Sequence, residues 1–151
     1  MKISKISLAI VILICAIGIA AATDLPDIKV AEGYKDLGDG SYTNEAEHIE
    51  MEIMTEKDLE DLNEVFKNDS AVKFTTTPGK LNSTFNFTDG VNEMVGVNEV
   101  VKIDNKSYVI EFWKDSHDNV TLDKLFDSLE EFNKLNNLEP INPSNINNLF
   151  E

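Results

Sequence analysis

The chain of 151 residues carries 28 acidic against 13 basic side chains, for a net charge of −15. Such a charge repels phosphate backbones and anionic lipid headgroups. Arginine is absent, which removes the bidentate fork that recognises phosphate or carboxylate, so nucleic-acid binding is set aside.

Lys2 and Lys5 form a short basic stretch ahead of an apolar run from Ile6 to Ala22. The run ends on Ala20-Ala21-Ala22, which fits the small-residue rule for signal cleavage after Ala22. The alternative is that residues 1–22 stay as an N-terminal membrane anchor, since about 25 Å of helix at ~1.5 Å per residue is marginal for a span. Either way the rest of the chain is expected outside the cytoplasm. Removing Lys2 and Lys5 with the leader takes the net charge from −15 to −17. It also removes Cys15, the single cysteine, and with it disulfides, thiolate metal sites and a cysteine nucleophile.

Residues 23–46 hold Pro26, Gly33, Gly38 and Gly40 without a sustained period and read as a linker or irregular arm. The α+β domain is expected over 47–140. His48 to Met54 alternates as a strand, with Glu50 and Glu52 turned to solvent. Thr55 then reads as the N-cap of a helix, with Asp58 closing a capping box and Met54 and Leu59 as a hydrophobic staple. Leu59, Leu62, Val65 and Phe66 form its apolar stripe, which ends near Asn68.

Val72–Thr77 and Leu81–Thr88 read as a hairpin around Pro78-Gly79. Val95–Ile103 and Ser107–Lys114 form a second hairpin around Asp104-Asn105-Lys106. Val109, Glu111 and Trp113 share its outer face, with Trp113 partly exposed. Thr121 opens the last helix, whose stripe is Leu122, Leu125, Phe126, Leu129, Phe132 and Leu135. Residues 141–151 read as a flexible tail.

The predicted order is β-α-β-β-β-β-α. It implies a single antiparallel sheet of about five strands with two helices on one face. Leu59, Phe74, Phe85, Phe87, Ile110, Phe112, Leu125 and Leu129 would share one core. A duplication, Gly90–Val95 followed at once by Gly96–Val101, extends a strand or its lead-in loop.

Asp115-Ser116-His117-Asp118 is the densest polar cluster, and it reads as an ordinary connecting loop. Asp36 and Asp39 near Gly40 lack the alternation and closing Glu of a calcium loop. No nucleophile elbow, zinc-protease motif or phosphate loop is present. No catalytic, cofactor-binding or metal-binding residue is assigned. Five sequons make Asn68, Asn82, Asn86, Asn105 and Asn119 candidate N-glycosylation positions.

The leader, the Asp-Leu-Gly-Asp-Gly-Ser-Tyr segment, the Asn-Lys-Ser-Tyr-Val-Ile-Glu-Phe-Trp hairpin and the Asp-Ser-Leu-Glu-Glu-Phe-Asn-Lys-Leu-Asn helix together resemble small exported proteins of methanogenic archaea. The resemblance implies a cell-envelope location and transfers no site residue. The expected function is a non-catalytic secreted or cell-envelope interaction domain. Its partner would be an unidentified protein or envelope component, and only the N-terminal segment would meet the membrane. The alternatives are a membrane-anchored accessory or chaperone-like module, and a carboxylate-based hydrolase, which needs two carboxylates facing each other in a cleft.

Overall fold

A computed structural model describes residues 25–79 and 82–141. The leader, the cleavage point after Ala22, the start of a strand at Leu81 and most of the 141–151 tail lie outside the described residues.

The chain is α+β, with one open antiparallel sheet. The strands are β1 (Lys35–Gly38), β2 (Ser41–Asn44), β3 (Ile49–Thr55), β4 (Lys73–Pro78), β5 (Ser83–Thr88), β6 (Glu93–Ile103), β7 (Lys106–Asp115) and β8 (Pro140–Ile141). Helix α1 (Glu56–Asn68) follows β3, and α2 (Leu122–Asn136) follows β7. Seven strands run in the order β1-β2-β3-β7-β6-β5-β4, and the two-residue β8 pairs with β6 beyond the reach of β5.

The five expected strands are therefore joined by three others. Strands β1 and β2 lie in the stretch read as an irregular arm. Their turn uses three positive φ values in succession, at Gly38, Asp39 and Gly40. Four-residue strands around such a turn are too short to show a period. The preceding residues are also tied down: Ile28, Val30 and Tyr34 pack on the core beneath α2. Asn136 of α2 brackets Lys29, accepting from its N–H and donating to its carbonyl, both at 2.8 Å.

Local chemistry sets the other boundaries. The Thr55 side chain accepts from the Asp58 N–H, and the Asp58 carboxylate accepts from the Thr55 N–H, closing the capping box at α1. Thr121 caps α2 in the same sense, and Asn137 ends it in the left-handed conformation. Asp104 and Asn105 both take positive φ in the two-residue loop between Ile103 and Lys106, the backbone that a tight hairpin requires.

The two helices lie on opposite faces of the sheet, not on one. Directly paired residues share a face, and neighbours along a strand alternate. Met51, Ile53, Ile110 and Phe112 pack with Leu125, Leu129 and Phe132 of α2. The intervening positions, Met54 and Val109, pack with Leu59 of α1, and Phe85, Phe87, Met94 and Trp113 pack near Phe66. The single expected core is thus two cores separated by the sheet. Trp113, expected to be partly exposed, is only 3% exposed because α1 covers its face.

Candidate functional site: a buried carboxylate pair beneath α1

Strand register builds the site. On the α1 face, a row of polar side chains crosses five strands: Ser41, Glu52, Glu111, Asn98 and Ser83, each directly paired with the next. All five are buried. On one side lies an aromatic row in which Trp113, Gly96 and Phe85 are paired. On the other lies the aliphatic row Met54, Val109 and Val100. Leu59, Leu62 and Asn63 of α1 close over the middle.

Glu52 was expected in solvent and is instead 3% exposed, directly opposite Glu111. Glu50, on the same face, is half-buried and accepts from the Thr43 hydroxyl at 3.0 Å. Burial drives the Glu52 carboxyl well above its ordinary range, and Glu111 and Asp58 add to the effect. Burial also pushes Glu111 up to about 7, against a hydrogen bond from the Asn98 amide at 3.3 Å that favours its ionised form.

A cavity of about 30 Å³ sits over the pair, room for roughly one water-sized group. Its walls are Phe66, Phe74, Phe85, Phe87, Met94 and Trp113, besides the two carboxylates and α1. Among the described residues, no lysine or histidine lines it. Trp113 Nε1, Asn98 Oδ1 and Ser83 Oγ are buried and find no hydrogen-bond partner among the described residues. Each such group costs roughly 1–3 kcal/mol when left unsatisfied. The rim is more open, since Phe66 and Phe74 are only half-buried.

A third buried carboxylate, Glu99, lies on the α2 face. Burial raises it to about 7, and it accepts a short hydrogen bond from the Asn133 amide. It forms part of an open groove with Phe126, Asn133 and Lys134. Being single, it lacks the carboxylate neighbour that Glu52 and Glu111 give each other.

The polar loop after β7 closes on itself. The Asp115 carboxylate accepts from the His117 backbone N–H at 2.9 Å and lies 3.0 Å from its Nδ1. Asp118 faces His48 of a different turn at 3.8 Å. Lys114 Nζ donates to the Asp118 carbonyl at 2.8 Å. Asp36 and Asp39 lie at the β1–β2 hairpin, where Asp36 accepts from the Gly38 N–H. Among the described residues no group of three His, Cys, Asp or Glu side chains is placed to hold a metal. Of the sequon asparagines, Asn68, Asn86, Asn105 and Asn119 are exposed, while Asn82 is half-buried.

Fold and site together define a single-sheet α+β domain with an acidic pair buried under one helix. No family model matches the chain, and no curated protein or solved structure compared with it matches either.

Proposed function

We propose that this chain is a non-catalytic binding domain that works outside the cytoplasm and takes its ligand in the cavity beneath α1. The observation that supports this reading is the Glu52–Glu111 pair: two buried carboxylates with aromatic walls and no cation lining the cavity among the described residues. A folded domain keeps such an arrangement at a cost to its stability, and ligand binding is a reason to keep it. The leader and the likeness to small exported proteins of methanogenic archaea support the location. Exposed Asn68, Asn86, Asn105 and Asn119 suit a glycoprotein of the envelope.

The cross-strand carboxylates also favour a second reading, a carboxylate-based hydrolase. Against it stands the size of the cavity, about 30 Å³, which is too small for a substrate ring. Native mass spectrometry of the protein isolated from its own cells tests the choice. A small molecule held non-covalently and released unchanged on denaturation is expected, and its loss in Glu111→Gln should follow. A bare chain in both forms would contradict the binding reading, and a released fragment of a larger molecule would favour the hydrolase.

A further inference from the structure

Building on the binding reading, we infer that the cavity under α1 takes a short amino alcohol, its ammonium on Glu52 and Glu111 and its hydroxyl oxygen on Trp113 Nε1. Three independent features lead there. The paired carboxylates are buried side by side, and no lysine or histidine among the described residues lines the cavity. Their countercharge must come from a proton or a ligand cation, and an ammonium supplies the N–H donors that carboxylates accept best. The Trp113 indole is 3% exposed, lines the same cavity, and its N–H has no acceptor among the described residues. A ligand that satisfies it carries a lone-pair acceptor, and a hydroxyl oxygen is a small one that brings no charge.

The cavity is small, at about 30 Å³, so even a two-carbon ligand enters only if α1 moves outward, and a longer stem is excluded. The rings of Phe66, Phe74, Phe85 and Phe87 receive that stem and favour the cation beside it. The half-buried Phe66 and Phe74 mark the entrance, between the C-terminal half of α1 and edge strand β4. Asp58 of α1 adds to the negative potential at Glu52. The large net negative charge draws cations toward the molecule and repels anions.

Calorimetric titration at pH ~8 with ethanolammonium, ethylammonium, ethylene glycol and O-phosphoethanolamine reads each feature separately. Ethanolammonium is expected to bind best, ethylammonium at least ten-fold more weakly, and glycol not at all. O-Phosphoethanolamine carries the same amine on an anionic ester, as a lipid headgroup does, and should not bind. Glu111→Gln should weaken ethanolammonium at least ten-fold. Trp113→Phe, which keeps the ring and loses the N–H, should erase the advantage of ethanolammonium over ethylammonium.

Equal binding of the two amines by the wild type, or equal binding of glycol, would overturn the assignment. So would calcium displacing the amine at equal concentration, or tighter binding of the phosphate ester. A bound molecule seen by native mass spectrometry that ethanolammonium fails to displace would sink this inference and leave the binding reading standing. No bound molecule and no titration heat would remove both.

Discussion

Gly90 and Gly96 open the two copies of the duplicated hexapeptide, yet they do different work. Gly90 sits in the turn before β6 with φ +88, where alanine costs roughly 1–2 kcal/mol of backbone strain. Gly96 lies in the middle of β6 beneath the Phe85 ring, and a Cβ there would also come within 2.8 Å of the Phe112 carbonyl oxygen. Backbone cannot yield as a side chain can, so Gly96→Ala should cost about 1–3 kcal/mol through overpacking and loosen Phe85 over the cavity. Denaturant unfolding checks this. Unchanged stability in Gly96→Ala would mean that Phe85 does not lie over that strand.

Glu111 gives the molecule an unusual response to pH. Its carboxyl rises from 4.5 to about 7 on folding. Between those values the folded state keeps a proton that the unfolded state has released, so stability falls as pH rises through the window. The effect is at most about 3 kcal/mol for this group, and Glu52 acts in the same direction. Asp89 and Asp115 are lowered on folding and act oppositely, at lower pH. Glu99, also raised to about 7, adds to this. The melting temperature should therefore fall between pH ~5 and pH ~8, and Glu111→Gln should reduce that fall while leaving the share of Glu52 and Glu99. A melting temperature that rises over the same range would contradict the burial of the pair.

At the scale of elements, the parts legible in the sequence are those set by neighbours in the chain. The Thr55–Asp58 capping box, the turn at Asp104 and Asn105, and the middle of the α2 stripe at Leu125, Leu129 and Phe132 are local signatures that the structure contains. Lys106, however, belongs to β7, and Leu122 and Leu135 at the ends of the stripe are exposed. The side of the sheet that each helix covers is not local. Strand β7 is apolar on both faces, with Ile110 and Phe112 on one and Val109 and Trp113 on the other. That pattern signals two covered faces. Read with Glu52 and Glu111 in the same alternation, it looked like a half-solvated sheet. The carboxylate pair was hidden for the same reason: a polar position in a strand reads as solvent until the covering helix is known. Its signal was the company it keeps, since Met54, Val109, Trp113 and Phe85 are too apolar a set for an open face.

Thr55→Ala should destabilise the fold by ~1 kcal/mol through loss of the cap, read by denaturant unfolding. Leu59→Val and Leu129→Val trim opposite cores by about 1 kcal/mol each, and their effects should add within ~0.5 kcal/mol. Marked non-additivity would mean that the two side chains share one core after all.

For the whole molecule, the sheet works as a partition. The α2 face holds the larger apolar core, with Ile49, Met51, Ile53, Val97, Tyr108, Phe112 and Phe132, while the α1 face trades packing for a polar row and a cavity. Among the described residues no helix is long and apolar enough to cross a membrane. Cell fractionation should find the chain in the medium or the envelope, and a full-length chain confined to the cytoplasm would contradict the proposed location.

The central claim is that Glu52 and Glu111 are buried side by side, with no lysine or histidine lining their cavity among the described residues. Carbon-13 NMR titration of the glutamate side-chain carboxyls tests it most directly, with the Glu111→Gln variant supplying the assignment. The account predicts that the Glu111 carboxyl titrates near pH ~7, that Glu52 titrates well above the ordinary range, and that its midpoint drops in Glu111→Gln. Titration of every glutamate carboxyl in the ordinary range near 4.5 would place both groups in solvent and contradict the account.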